Sequence, residues 1–188
     1  MHGVRRIGGL VALLVVPALL LGAAPARAIE PYLVSIGILG GVGGPLDASD
    51  PDPGLGNKTL QFQVGVLTEP HMQLQFRLGR IAFHDDDRLG SLFSPDLSYL
   101  TVAGEYRIER SFYDSGLFLG LGAYRLSGDD FAGKSHDQTT IGGTLGVDGE
   151  FEINRWMAVV GEFALHWADF DDATFFGTAQ GGLMVKVW

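Results

Sequence analysis

Apolar and polar residues alternate along repeated segments of about ten residues, and this pattern constrains the fold most. In residues 59–67, Leu60 and Phe62 alternate with Gln61 and Gln63. Successive side chains of a β-strand point to opposite faces, so each segment predicts a strand with one apolar and one polar face. Helical periodicity is nearly absent after residue 28.

Eight such segments predict eight strands: 32–39, 59–67, 72–83, 98–108, 117–125, 139–151, 156–167 and 176–188. Long or polar connections (40–58, 84–97, 126–138 and 168–175) alternate with shorter ones (68–71, 109–116 and 152–155). An even number of strands with this alternation is typical of an up-and-down barrel whose two ends face different compartments. In the third segment the apolar set changes parity after Gly79, which predicts a glycine bulge there.

Residues 1–28 have the features of a cleaved secretory signal peptide. Arg5 and Arg6 provide the basic start, a short apolar core follows, and residues 26–28 form a small-x-small cleavage site. A membrane anchor is the alternative, although glycines and prolines interrupt the apolar run. The predicted mature domain is 29–188.

The size of an eight-stranded barrel indicates which face points inward. Its interior is only just wide enough for side chains, and the apolar set is bulky whereas the opposite set is rich in Gly, Ala, Thr and Gln. We therefore expect the bulky set outside, where it is stable only in lipid. The predicted fold class is all-β, an eight-stranded antiparallel up-and-down transmembrane β-barrel. A soluble periplasmic lipocalin-like carrier, with the faces reversed, is an alternative.

The inward face carries a small set of charged residues that we predict to form a lumen charge network. Its members are Arg77, Glu105, Arg107, Asp148, Glu150, Glu162 and Lys186. Buried ions are tolerated when they are paired, so we expect this network to fill and lock the barrel; a gated ion path is the alternative. Aromatic residues near the strand ends predict two interfacial girdles: Tyr32, Phe83, Tyr99, Phe112, Tyr113, Trp156, Trp167, Phe175, Phe176 and Trp188.

The mature region resembles the small outer-membrane β-barrel proteins of the OmpA transmembrane-domain, OmpX and OmpW kind. The resemblance lies in the export signal, the eight alternating segments, the glycine-rich strand 117–124, the turn 153–156 and the terminal Trp188. It implies a Gram-negative outer membrane, periplasmic termini, insertion by the barrel assembly machinery, and contact with lipid and lipopolysaccharide. The implied roles are structural, surface interaction, or passage of small apolar molecules. Lys186 departs from the family's C-terminal pattern, in which an apolar residue is usual.

Charge and composition exclude several function classes. The formal charge of −9 argues against a nucleic-acid partner, and the absence of cysteine excludes disulfides and thiolate zinc sites. Thirteen aspartates lie in the long connections: Asp47, Asp50, Asp52, Asp85, Asp86, Asp87, Asp96, Asp129, Asp130, Asp137, Asp169, Asp171 and Asp172. None of these runs has EF-hand spacing, so we expect solvated acidic loops with no metal site and no cofactor. Divalent cations bridging them to lipopolysaccharide phosphates, and metal binding at His84 or His136, stay open.

One enzymatic alternative concerns His166. Lipid A deacylases are also eight-stranded outer-membrane barrels, and they carry a His-x-Ser motif late in the chain. Here the trio is His166-Trp167-Ala168, followed by Asp169, Asp171 and Asp172. Because alanine has no hydroxyl to activate, we expect no catalytic residue and no enzymatic activity.

Overall fold

The computed structural model describes residues 34–47, 56–84, 88–89, 92–109, 113–130, 132–171 and 174–187. The predicted signal peptide, 1–28, lies outside these residues. The strands are β1 Val34–Pro45, β2 Asn57–Glu69, β3 Met72–Ala82, β4 Arg88–Leu89, β5 Leu92–Glu109, β6 Asp114–Asp129, β7 Ser135–Asn154, β8 Met157–Ala168 and β9 Phe175–Val187. Across the described residues, no helix is long and apolar enough to cross a membrane.

The eight long strands close into a barrel. Their order is β3-β2-β1-β9-β8-β7-β6-β5, and β3 also pairs with β5. The first and last strands form a continuous antiparallel seam, from Val34↔Val187 to Pro45↔Phe176. The predicted eight-stranded antiparallel up-and-down barrel is therefore confirmed, and the two-residue β4 is a small addition on the edge of β5.

Turn chemistry differs at the two ends of the barrel. At the end where β1 begins and β9 ends, the hairpins are tight: the Thr68 hydroxyl donates to the Met72 carbonyl oxygen at 3.0 Å, and the Trp156 amide donates to Asn154 Oδ1 at 2.8 Å. Local hydrogen bonds between a side chain and the backbone, as in these two hairpins, favour short turns. Longer connections lie at the opposite end, which we call the loop end, as the alternating lengths in the sequence predict.

The two faces of the barrel have the predicted polarity. Bulky apolar side chains point outward, and Leu60, Leu121 and Phe163 are 62%, 66% and 66% exposed. The opposite parity is buried, including Arg77 at 1% and Glu105 at 2%. This is the reverse of a water-soluble barrel.

The predicted bulge at Gly79 is wrong. The register of β3 runs without a shift through this residue against both β2 and β5. Gly79 lies directly opposite Tyr99, and a Cβ on Gly79 would fall 2.1 Å from the tyrosine ring. The glycine therefore makes room for an inward-facing aromatic ring, and the parity change arises because Ile81 and Phe83 are themselves buried inside.

The interior at the loop end is filled by an apolar plug, which explains that change of pattern. Its members are Ile81, Phe83, Leu89, Leu92, Leu97, Tyr99, Tyr124, Leu126, Ala168, Phe170 and Phe176. The girdle prediction is therefore wrong for Phe83, Tyr99 and Phe176, which point into the plug. Tyr113, Trp156 and Phe175 are exposed and Trp167 is half-buried, whereas Tyr32, Phe112 and Trp188 lie outside the described residues.

Four strands extend markedly further at the loop end than the alternation predicts: β1, which continues to Pro45 instead of ending at Leu39, and the three neighbouring strands β5, β6 and β7. β5 begins at Leu92, β6 continues to Asp129 and β7 begins at Ser135. The neighbouring β8 ends at Ala168, which pairs with Gly142 of β7. The β6–β7 hairpin consequently projects beyond the rim formed by β8 and β9.

Candidate functional site

A band of apolar side chains covers the outside of the barrel and ends at a polar row near the loop end. On β6 the outward residues are Leu117, Leu119, Leu121 and Ala123, followed by Arg125. The polar row crosses four strands in direct register: Arg80↔Ser98, Ser98↔Arg125 and Arg125↔Thr139. An outward apolar band flanked by polar residues is the surface that a lipid bilayer requires.

Ion pairs neutralise the arginines of this row. Arg125 Nε donates to both Asp137 carboxylate oxygens at 2.9 Å, and Arg80 pairs with Asp96. These hydrogen bonds hold the pKa of the Asp137 carboxyl below its ordinary value and raise the pKa of both guanidinium groups. The row thus combines exposed positive and negative groups directly above the apolar band.

Inside the barrel, Arg77 makes a bridge across the lumen. It projects from β3, which lies opposite β8 in the ring of eight strands, and its Nη2 lies 2.9 Å from Glu162 Oε2. Arg77 Nε donates to Gln75 Oε1 at 2.7 Å, and the guanidinium carbon lies 3.5 Å from the centroid of the Phe118 ring. The guanidinium is thereby paired, hydrogen-bonded and stacked.

A second group of charges lies nearer the tight-turn end. Glu150 Oε2 receives Arg107 Nη2 at 2.9 Å and Lys186 Nζ at 3.0 Å. Arg107 also contacts Asp114 at 3.2 Å, and Lys186 contacts Glu152 at 2.8 Å. One buried carboxylate therefore connects strands β5, β7 and β9.

Glu105 and Asp148 complete the predicted set, and both face Gly116. A Cβ built on Gly116 would lie 2.3 Å from Asp148 Oδ1 and 2.4 Å from Glu105 Oε1. Gln75 Nε2 donates to Glu105. The structure thus places all seven predicted lumen residues inside the barrel, where four carboxylates face three cations.

Sequence reasoning missed the uncharged members of this interior. Gln61 Nε2 lies 3.3 Å from Glu162 Oε1, and Gln73 Oε1 accepts from Arg107 Nη1 at 2.7 Å. Both glutamines have the inward parity of their strands, which was the available signal. Their amides matter because Gln61 donates to a buried carboxylate and Gln73 accepts from a buried guanidinium.

His166 lies in an aromatic cluster between the charged lumen and the plug. Its Nδ1 lies 3.1 Å from the Tyr124 hydroxyl, its Nε2 lies 3.5 Å from Thr178 Oγ1, and its ring centroid is 4.6 Å from that of Tyr99. The imidazole points inward and is 1% exposed. Ala168, at the serine position of the His-x-Ser motif, has only a buried methyl group. The motif of a lipid A deacylase is therefore incomplete here.

The loop-end aspartates that the structure describes mostly hold backbone or basic groups. Asp47 accepts from the Thr174 amide at 3.1 Å and the Phe175 amide at 3.0 Å, and Asp130 Oδ1 accepts from the Lys134 amide at 2.9 Å. Among the described residues, no cluster of three or more histidine or acidic side chains is placed to hold a metal ion. Asp50, Asp52, Asp85, Asp86, Asp87 and Asp172 lie outside the described residues.

The two predicted loop histidines have polar neighbours. His84 Nδ1 lies 3.1 Å from Asn57 Oδ1, and His136 Nε2 lies 3.0 Å from Gln138 Nε2. These contacts are of the ordinary side-chain kind, and neither ring meets a set of acidic ligands in the described part of the chain.

Comparison with solved structures identifies the fold. The Neisserial surface protein A matches with a TM-score of 0.62 and 13% identity over 83% of this chain and 97% of its own. The chain has the fold of the small eight-stranded outer-membrane barrels. A major outer membrane protein of Thermus thermophilus matches with a TM-score of 0.63 and 11% identity, over 84% of this chain and all of its own.

A third match is Ail, the attachment invasion locus protein of Yersinia pestis. Its TM-score is 0.56 and its identity 14%, over 85% of this chain and 100% of its own. No family model matches the sequence, and no curated protein is similar enough to count as a relative. The likeness is thus one of architecture.

Proposed function

We propose that this chain is an integral outer-membrane β-barrel without enzymatic activity, which has a structural role and presents its loop end to partners outside the cell. The single observation that carries the proposal is the inverted polarity of the barrel. Outward leucine and phenylalanine side chains form a closed band, while seven charged residues are inside. Such a surface is stable where acyl chains replace water, and a closed barrel satisfies its backbone groups there.

The same observation argues against the soluble carrier. A lipocalin-like protein needs an apolar cavity and a polar exterior. Here Phe62 and Leu100 are exposed, whereas Gln61, Gln63 and Thr101 beside them are buried inside. The similarity to outer-membrane barrels supports this membrane in particular, with the tight turns on the periplasmic side and the loop end outside.

The contacts inside the barrel favour a lumen that is closed to passage. Arg77 and Glu162 join opposite walls, and the apolar plug fills the loop end. Passage of small apolar molecules through the wall is not favoured, because the described strands pair continuously around the barrel, including the β1–β9 seam. A shallow apolar groove of about 530 Å³ on the outer surface, lined by Leu145, Phe163 and Ala179 among others, faces the predicted acyl chains.

Gel mobility and fractionation test the proposal. A folded outer-membrane barrel migrates differently before and after boiling, and it stays with the envelope until detergent is added. We expect both behaviours. Release by osmotic shock, with no change of mobility on heating, would instead support the soluble carrier.

Conductance in a planar lipid bilayer tests whether the lumen is closed. We expect no steady channel current from the wild-type protein, because the charged bridge and the plug block the pore. Stable single-channel steps from the folded protein would contradict this part of the proposal and favour the gated ion path.

A further inference from the structure

Two carboxylates buried in the lumen, Glu105 and Asp148, have no cation of their own. They are 2% and 8% exposed. Among the described residues, no ion pair joins either of them to a cation, because the three lumen cations are engaged elsewhere: Arg77 with Glu162, Arg107 with Asp114 and Glu150, and Lys186 with Glu150 and Glu152. A buried charge is tolerated when it is paired and hydrogen-bonded. Two adjacent ionised carboxylates without a cation are therefore unfavourable at this position.

The two carboxyl groups converge over a glycine. Glu105 projects from β5 and Asp148 from β7, and Gly116 of the intervening strand β6 lies directly opposite Asp148. A Cβ on Gly116 would lie 2.3 Å from Asp148 Oδ1 and 2.4 Å from Glu105 Oε1, so these oxygens are no further apart than the sum of the two distances. Because β6 has no side chain here, a small side-chain rotation allows one carboxyl group to donate a hydrogen bond to the other.

We infer that Glu105 and Asp148 share one proton, so that the pair consists of a carboxylic acid hydrogen-bonded to a carboxylate. With this proton in place, three negative charges balance three positive charges in the lumen. An O–H···O⁻ hydrogen bond is roughly twice as strong as one between neutral groups, and here it joins β5 to β7 across β6. The inference needs only the closed barrel, so it goes beyond the proposed function and does not depend on it.

The groups around the pair favour a proton at this position. From β3, Gln75 Nε2 donates to Glu105 Oε2, which leaves Oε1 facing Asp148. From β8, Glu162 lies directly opposite Asp148, and like charges in directly opposed positions are unfavourable. β1 and β2 contribute only uncharged side chains to the described interior. The other charged groups on this side of the plug are those already paired: Arg77 of β3, Arg107 of β5, Asp114 of β6, Glu150 and Glu152 of β7, and Lys186 of β9.

His166 and a bound metal ion are poorer sources of the balancing charge. His166 Nδ1 lies 3.1 Å from the Tyr124 hydroxyl and its Nε2 lies 3.5 Å from Thr178 Oγ1, and the ring contacts no carboxylate among the described residues. Across the described part of the chain, no group of three or more histidine or acidic side chains is arranged to hold a metal ion. A proton needs only two facing oxygens, which Glu105 and Asp148 provide.

Infrared spectroscopy of the full chain, refolded in a detergent without carbonyl groups, detects the proton directly. A protonated carboxyl group has a C=O stretching band that is separate from the carboxylate bands and shifts in D2O. At neutral pH we expect this band in the wild type and its loss in both Glu105→Gln and Asp148→Asn, which keep the shape of the side chain but leave a single acid. Glu152→Gln removes the exposed partner of Lys186; it is the matched control and should keep the band.

The pH dependence of unfolding is a second readout. Both carboxyl groups are ionised in the unfolded chain at neutral pH, so the folded barrel holds one more proton and its stability falls as the pH rises. Relative to either variant, the folding equilibrium constant of the wild type should fall by up to about tenfold per pH unit above neutrality. Glu152→Gln should follow the wild-type profile.

Three results would overturn the inference: no protonated band in the wild type at neutral pH, a band that persists in either folded variant, or parallel pH profiles of wild type and variants. A missing band together with stability that depends on the monovalent cation, Na⁺ against a large organic cation, would assign the balancing charge to a bound ion and also overturn it. Gel mobility confirms the folded barrel in each sample. A folded barrel without the shared proton contradicts only this inference, whereas release by osmotic shock contradicts only the proposed function.

Discussion

Removing either partner of the Arg77–Glu162 bridge leaves a different charge balance in the lumen. Of the seven lumen residues, four are acidic and three are basic. Arg77→Met leaves four carboxylates against two cations, whereas Glu162→Gln leaves three against three. We therefore expect the two substitutions to have unequal effects on the free energy of unfolding.

The structure gives the magnitudes. Breaking a buried ion pair by removing one partner costs about 3–5 kcal/mol, and Arg77→Met also loses the stacking on Phe118, worth about 0.5–2 kcal/mol. Glu162→Gln keeps the shape and a neutral acceptor for Arg77, so we expect a loss of about 1–2 kcal/mol. The difference between the two variants is then at least about 1.5 kcal/mol.

Urea unfolding in lipid vesicles measures these differences, with tryptophan fluorescence reporting the transition and gel mobility confirming the folded start. The double variant should be more stable than Arg77→Met alone, because it removes one of the unbalanced carboxylates. Arg125→Met, which breaks an exposed pair on the rim, serves as the control and should cost far less stability than Arg77→Met, because solvent screens the pair. If Glu162→Gln proves as damaging as Arg77→Met, the charge-balance reasoning is refuted.

Three further predictions concern single positions. Gly79→Ala should destabilise the barrel by about 1–3 kcal/mol, because the new Cβ would lie 2.1 Å from the Tyr99 ring. The control is Gly104→Ala, which should leave the free energy of unfolding unchanged in the same assay, because nothing lies within 4 Å of its new Cβ. NMR titration should find the pKa of the Asp137 carboxyl below its ordinary value. The contribution of Asp137 to stability is then present above that ordinary value and is lost as the pH falls through the lowered pKa. Arg125→Gln should return the pKa of Asp137 toward its ordinary value, and an Asp137 titration that is the same in this variant and the wild type would contradict the pairing. His166→Ala should destabilise the folded barrel by about 1–3 kcal/mol and leave the acyl chains of lipopolysaccharide unchanged by mass spectrometry, whereas acyl release that depends on His166 would restore the hydrolase alternative.

Period-two alternation predicts the eight strands and their inward faces because the bilayer and the narrow lumen impose opposite demands on successive residues. The same signal fades beyond the apolar band. There both faces of the hairpin meet water, so the extension of β7 from Thr139 back to Ser135 leaves no trace in the pattern. The projecting part of the β6–β7 hairpin could therefore not be predicted from the sequence.

Contacts inside the lumen depend on register and on opposition across the barrel, which alternation does not encode. Arg77 and Glu162 are 85 residues apart in the chain, and only the closed ring brings them together. Aromatic character and a position near a strand end predict Tyr99 and Phe176 in the girdles. Their parity, however, places them inside, where the Tyr99 ring fills the space above Gly79 and Phe176 joins the apolar plug.

The inverted polarity makes the unfolded chain prone to misfold in water before it is inserted into the membrane. In an aqueous compartment the unfolded polypeptide lowers its free energy by collapsing with Phe62, Leu100 and Leu119 together, which leaves Arg77 and Glu105 in water. Such a collapsed species has its sheet inside out, and reaching the native barrel from it requires every strand to present its other face. Delivery in an extended, shielded form, with strand pairing delayed until the bilayer is available, avoids this kinetic trap.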